Sequence, residues 1–341
     1  MSRVASRLGR GQFTFAPVPL WEQLPAGWKF VEAVGVATDS RDRVFVFNRG
    51  EHPVIVFDRD GRFLEAWGEG QFVRPHGIWI GSDDAVYLTD DLDHTVRKYT
   101  PHGRLLWKLG TSARGSDTGV QQNDYRTITR GGPPFNQPTN LTIGADESLY
   151  ISDGYGNARI HKYSSEGRLL LSWGEPGAGP GQFNLPHGIG ALSSGQVLVA
   201  DRENSRVQVF SPDGEFLAEW TDVVRPCEVF VDPQDNAFVA ELGHRAGMFP
   251  WMQPDLTVSG GRLCIFNHSG SLLARFGGGE KPGTPGDFFA PHDLWVDGRG
   301  DLYVAEVNWS AGGNRGLMPP DCPSLQKLVR INPPTEADDL P

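Results

Sequence analysis

A unit of roughly forty residues recurs six times along the chain, and that period is the length of a four-stranded propeller blade. The clearest copies begin at Phe72 (FVRPHGIWIGSDDAVYLTDDLDHTVRKYTPHGRLLWKLG), Phe135 (FNQPTNLTIGADESLYISDGYGNARIHKYSSEGRLLLSWG) and Phe183 (FNLPHGIGALSSGQVLVADRENSRVQVFSPDGEFLAEW). With copies starting near Val31, near Val223 and at Phe288, the blades fall at about 31–70, 72–110, 135–174, 183–220, 223–276 and 288–332 of a single domain, 1–341. Each unit has a short apolar run, a turn rich in Asp, Ser or Gly, and a β-branched or aromatic run ending in Asp, Glu or Asn. Two more strands follow around a DG-type turn. One such meander cannot bury both faces, so the expected fold is all-β, a six-bladed β-propeller with the first strand of each blade lining the axis. The last repeat ends in a Pro- and acid-rich tail before a fourth strand, so an N-terminal strand, Gln12 to Pro17, is expected to close the ring.

Composition agrees with many tight turns, with 43 Gly and 26 Pro in 341 residues. A net charge of −11 argues against nucleic acid as a partner, because phosphate binding needs clustered Lys and Arg. The first residues, MSRVASRLGRGQFTF, lack the apolar core of a secretory signal, and no segment has membrane-spanning length. A cytoplasmic protein with no membrane partner is expected. Cys227, Cys264 and Cys322 are odd in number and show no CxxC spacing, so reduced thiols are expected rather than a disulfide framework or a cysteine zinc knuckle.

Antiparallel order puts the start of strand 1 and the end of strand 2 at the same mouth of the channel. The PHG and PHD segments therefore share a face with FNRG, SDGY and ADRE. The longest loops, Thr111 to Pro134, Gly243 to Gly260 and Asn308 to Pro323, belong to that face too, and long loops gathered on one side build pockets. His76, His187 and His292 each follow a proline and open strand 1 of the second, fourth and sixth repeats. Alternate positions of a six-fold ring lie about 120° apart, so three imidazoles converge on the axis with one position left open, which suits a catalytic zinc. The corresponding positions of the other blades hold Val34, Thr139 and Cys227, so the repeat itself does not demand histidine. The remaining histidines, such as His102 and His161, lack the register and read as ordinary turn or strand residues.

These motifs resemble the NHL-repeat propellers and, among them, the peptidyl-α-hydroxyglycine α-amidating lyases. The likeness runs from about Val34 to Glu306 and is carried in order by GVATD, FNRGEH, RPHGI, SDGYGNARI, LPHGI, ADRENSRVQVF and APHDL. It implies zinc on His76, His187 and His292, and a structural calcium on the carbonyls of Val36 and Ile78 with the carboxylate of Asp293. It also implies a catalytic trio: Tyr155 as base on the substrate hydroxyl, with Arg49 and Arg202 beside it. A free tyrosine titrates near pH 10, so a neighbouring cation is required, and Arg49 is the expected one. Guanidinium also matches a substrate carboxylate.

The chain departs from the family at several points. Gly156 stands where a cysteine of a family disulfide is expected, Ala290 replaces a methionine before PHD, and no copper monooxygenase domain accompanies the repeats. The expected activity is a zinc-dependent carbon–nitrogen lyase acting on an α-hydroxyglycine-type hemiaminal, with a small or short peptide-like substrate that bears a carboxylate. Tyr125, Arg126, Met248, Phe249 and Trp251, from the long loops, are the candidate substrate lining. Two other readings compete. A metal-dependent hydrolase or lactonase would use the same channel, although that class presents a carboxylate and Asn-rich centre. A non-catalytic NHL interaction scaffold would use Arg-rich loops and Trp251 and Trp309, but it predicts no histidine register.

Overall fold

A computed structural model describes residues 7–245, 247–249, 260–279, 281–319 and 322–331. Among these, six antiparallel sheets follow one another in the order of the repeats. The inner strands are Ala33–Thr38, Pro75–Ile80, Pro138–Ile143, Pro186–Ala191, Pro226–Val231 and Pro291–Val296. Each inner strand packs against the inner strands of the adjacent blades, which closes a six-bladed propeller. The second strands, for example Val44–Asn48, Leu149–Asp153 and Val197–Asp201, are buried along their whole length. Lying between neighbouring blades, they have no solvent face, which explains runs such as VFVF and VLVA in place of period-two alternation.

Phe13–Val18 pairs antiparallel with Leu325–Arg330, so the N-terminal strand completes the sixth blade. A further strand, Leu8–Arg10, hairpins onto it and makes this the one five-stranded blade among the described residues. The Arg10 guanidinium then donates to the carbonyls of Leu273 and Leu272 on the fifth blade. That hairpin is absent from the sequence-based expectation because three residues, LGR, carry no periodic signal.

The acidic or amide residue closing each second strand has a common task. Asp90 accepts the Val73 and Arg74 amides, Asp153 that of Asn136, Asp201 that of Asn184, Glu241 that of Val224 and Glu306 those of Phe289 and Ala290. In the first blade Asn48 Oδ1 accepts from Val31 and Glu32. These side chains pin the segment that leads into strand 1. Directly after it every inner strand slips register, between Ala33 and Gly35, Pro75 and Ile78, Pro138 and Asn140, Pro186 and Ile189, Pro226 and Glu228, and Pro291 and Asp293. A bulge of this kind re-aims one side chain. In the second, fourth and sixth blades that side chain is a histidine.

At the opposite end of the inner strands Trp79, Phe230 and Trp295 pack together, with ring centroids 4.9 Å (Trp79–Trp295), 4.8 Å (Phe230–Trp295) and 6.2 Å (Trp79–Phe230) apart. These three rings plug the far mouth and make the histidine end the open one. No helix among the described residues is long and apolar enough to cross a membrane.

Candidate metal centre

His76, His187 and His292 meet on the axis. One ligand atom from each lies within 4.8 Å of the others, and all three side chains are buried. Each Nδ1 bonds a backbone carbonyl of the next blade round the ring: His76 to Thr139 O (2.7 Å), His187 to Cys227 O (2.8 Å) and His292 to Val34 O (2.7 Å). A carbonyl only accepts, so every Nδ1 carries the hydrogen and every Nε2 presents a lone pair to the axis. Such an outer bond fixes the tautomer of a metal-ligating histidine. The Nε2 atoms of His76 and His292 are buried without a hydrogen-bond partner. Burial, together with the neighbouring imidazoles or arginines, holds His76 and His187 well below the ordinary histidine range, and burial and Arg49 push His292 down to about 3. Three neutral imidazoles with inward lone pairs, two of them orphaned, fit a divalent cation.

Above them lies a cavity of about 210 Å³. His292, Tyr155, Arg49, Arg74 and Arg202 all line it. Tyr155 hydroxyl donates to His187 Nε2 (3.2 Å) and accepts from Arg202 Nη1 (3.2 Å). Both arginines were expected beside the phenol, with Arg49 as the cation that keeps it ionisable; Arg202 is the one that bonds its hydroxyl. Arg49 is occupied with the Glu32 carboxylate (2.8 Å) and the Pro75 carbonyl (2.9 Å), because Glu32 sits at the start of its own blade. Burial opposes the charge on Arg202, yet Tyr155 and Glu203 hold its pKa above the ordinary value. Glu203, pushed down to about 2 by Arg202 and Arg225 against the opposing effect of burial, bridges those two guanidiniums.

The sequence reading passed over several residues here. Arg74 stands over the Tyr155 ring, 5.2 Å from its centroid, and is tied to Asp91. Its signal was available, since it immediately precedes the PHG motif. Glu32 holds Arg49 and also accepts from the amide and hydroxyl of Ser310, which fastens the last long loop to the cavity wall. No motif marks Glu32. Of the proposed lining, Tyr125 and Phe249 reach the cavity and Arg126 faces an adjoining one. Met248 does not line it: the side chain is fully buried, against the Arg225 guanidinium. Trp251 lies outside the described residues.

One layer deeper the first, second and fourth inner strands carry Gly35, Gly77 and Gly188, and the third, fifth and sixth carry Asn140, Glu228 and Asp293. A Cβ at Gly35 would stand 2.8 Å from Asp293 Oδ2 and 2.7 Å from the Ile78 side chain, so the glycine makes room for the carboxylate. Asp293 Oδ2 has no hydrogen-bond partner. Burial first, then Glu228, drives its pKa up, while the Val36 and Leu294 amides pull it back. Glu228 is itself raised by burial and held by Asn140. His161, buried between Asp153 and Ser172, braces its blade away from the channel. The three cysteines are free thiols.

Fold and site together define an NHL-type six-bladed propeller with a histidine triad competent to hold a metal. The NHL repeat family matches at residues 183–210. Mouse NHL repeat-containing protein 3 is 37% identical over 292 residues, covering 80% of this chain and 76% of that protein. The chain belongs to this family of NHL repeat proteins. It spans 54% of the human protein of the same name. A Drosophila melanogaster protein, peptidyl-alpha-hydroxyglycine alpha-amidating lyase 1, is 29% identical over 73% of this chain and 45% of its own length. Among solved structures, a gluconolactonase from Xanthomonas campestris superposes with a TM-score of 0.62 at 11% identity, covering 96% of this chain and 95% of that one, a likeness of fold alone.

Proposed function

We propose that this protein is a zinc-dependent carbon–nitrogen lyase that cleaves an α-hydroxyglycine-type hemiaminal into an amide or amine and a glyoxylate-like product. The observation that carries this reading is the convergent histidine triad, two of its inward nitrogens unpartnered, beneath a cavity shared by Tyr155 and three guanidiniums. His76, His187 and His292 would hold a divalent cation, which would supply acidification of a substrate hydroxyl. Tyr155, once the proton it donates to His187 in the metal-free protein has left to solvent, takes the substrate hydroxyl proton beside the Arg202 guanidinium. The freed electron pair forms the carbonyl as the C–N bond breaks, and the leaving nitrogen takes up the proton, so no net proton is consumed. Arg49 and Arg74 are anchored by Glu32 and Asp91 but keep N–H groups beyond those anchoring bonds, which suits the substrate carboxylate.

Calcium is proposed for the deeper layer, on Asp293 with the carbonyls of Val36 and Ile78. The unpartnered Asp293 oxygen beside a second buried carboxylate supports a cation there. The amidating-lyase relative supports the lyase over the hydrolase, as does a centre built of imidazoles rather than carboxylates.

The test pairs elemental analysis with product detection. Purified protein is expected to carry about one zinc per chain and to release glyoxylate from an N-acyl-α-hydroxyglycine. Protein that carries zinc but opens lactones without touching the hydroxyglycine would transfer the assignment to the hydrolase.

A further inference from the structure

Arg202 and Arg225 bury their guanidiniums beside the cavity, with side chains only 6% and 2% exposed. Among the described residues one carboxylate, Glu203, is paired with both. Glu203 Oε1 accepts from Arg202 Nε and from Arg225 Nη2, each at 2.8 Å, and Oε2 accepts from Arg225 Nε at 3.3 Å. Sequence neighbours such as Arg202 and Glu203 would point apart along a strand. Here they share a side, because strand 2 ends at Asp201 and the chain coils into a single turn, Arg202–Asn204, closed by Ser205 in the left-handed region at φ 51°. The Glu203 amide donates to the Asn184 carbonyl, and Ser205 Oγ accepts the Arg225 amide, which brings the fifth blade to the same carboxylate. Arg225 Nη1 donates to the Gly243 carbonyl.

The far edge of Arg202 faces the chemistry. With Nε held by Glu203, Nη1 is the nitrogen that donates to the Tyr155 hydroxyl, at 3.2 Å. Arg202 and Tyr155 line the cavity, whereas Glu203 stands behind them. A guanidinium is planar, so an acceptor on Nε fixes the plane in which Nη1 lies and hence the direction of its N–H groups. We propose that Glu203 is a positioning residue, which acts through Arg202 to hold one N–H on the oxygen of Tyr155. Pairing with Arg225 is a separate, structural task of the same carboxylate, and the test divides the two. The kinetic consequence rests on the lyase reading, in which Tyr155 is the base; the geometric one stands without it.

Arg225→Met serves as the background, because it removes the charge that Glu203 otherwise neutralises and leaves an unbranched apolar chain beside Met248. On that background Glu203→Leu abolishes the acceptor for Arg202 Nε. It is expected to lower kcat on an N-acyl-α-hydroxyglycine about 10- to 100-fold, the scale on which a misplaced contact acts, with KM within about twofold and metal retained. Glu203→Gln restores an acceptor and is expected to recover most of that rate. In the parent, Glu203→Asp keeps the charge that Arg225 needs but ends one methylene short, and is expected to lower kcat about fivefold with the fold intact. Nitrogen-15 spectra of the guanidiniums read the geometry without turnover. The Arg202 Nη signals, identified by their loss in Arg202→Lys, are expected to be resolved through hindered rotation in Arg225→Met, to stay so with Glu203→Gln and to merge with Glu203→Leu. Equal rates for Glu203→Leu and Glu203→Gln, the parent rate in Glu203→Asp, or Arg202 signals indifferent to Glu203→Leu would overturn the positioning role. If the spectra respond as expected and the parent cleaves no hydroxyglycine, the lyase reading falls and the positioning of Arg202 stands.

Discussion

The even and odd blades share one backbone and do different work with it. Both sets slip register at the same place in strand 1, so both aim one residue at the axis. The even blades put an imidazole there. The odd blades put Val34, Thr139 and Cys227 there, and what they supply to the centre is the carbonyl oxygen that orients the neighbouring imidazole. A ligating position needs a side chain that ends in a donor atom; an orienting carbonyl comes with any residue. That difference explains how three unrelated side chains serve equivalent positions beside three identical ones.

The sharpest way to break the comparison is to exchange side chains at the two kinds of position. His76→Ala, His187→Ala and His292→Ala should each take the metal content from about one per chain to near zero, since three ligands leave no redundancy. Val34→Ala and Cys227→Ser should keep it, because the carbonyls remain. Full metal in any histidine variant, read by elemental analysis, sinks the assignment.

Tyr155 comes from an odd blade, and in the proposed reaction it acts on the substrate rather than on the metal. Tyr155→Phe should lower kcat by roughly 10² to 10⁴ with metal retained, the usual cost of losing a general base. Turnover of a hydroxyglycine at the parent rate would place the base elsewhere.

A smaller effect belongs to the even blades through pH. The folded histidines are held below their ordinary pKa, mainly by burial, whereas an unfolded chain takes protons below about pH 6.5. The metal-free protein therefore keeps this contribution above about pH 6.5 and loses it as pH falls toward the folded values. The limiting slope is three protons, about 4 kcal/mol per pH unit. Denaturant melts in chelator at pH 5 and pH 7 should show the loss, and His76→Gln should reduce the slope by about one proton. A parent slope no steeper than that of His76→Gln would contradict the assigned burial.

The smallest expected effect tests the odd side chains. Thr139 Oγ1 donates within its own blade and toward the His187 carbonyl, so Thr139→Val should cost about 1 kcal/mol of stability while metal content stays unchanged. Metal loss in that variant would show the hydroxyl, rather than the carbonyl, to be the orienting group.

Legibility in the sequence followed the physics of repetition. Six copies of one pattern located the blades, and antiparallel order alone placed His76, His187, His292, Tyr155, Arg49 and Arg202 at one mouth. Pairings within that mouth were not legible. Arg49 and Arg202 read alike as arginines after strand 2, and bonds to Glu32 and the Pro75 carbonyl hold Arg49 back while Arg202 reaches the phenol. The bulge was hidden too, since a register slip leaves no mark on composition.

By itself the sequence determined the number of blades, the identity of the axial histidines and the face on which chemistry is gathered, because these follow from period and strand direction. Only the tertiary structure decided the tautomer of each imidazole and which arginine touches Tyr155. Those depend on contacts between residues far apart in the chain, such as His292 with Val34 and Ser310 with Glu32, whose separations of 258 and 278 residues no local pattern encodes.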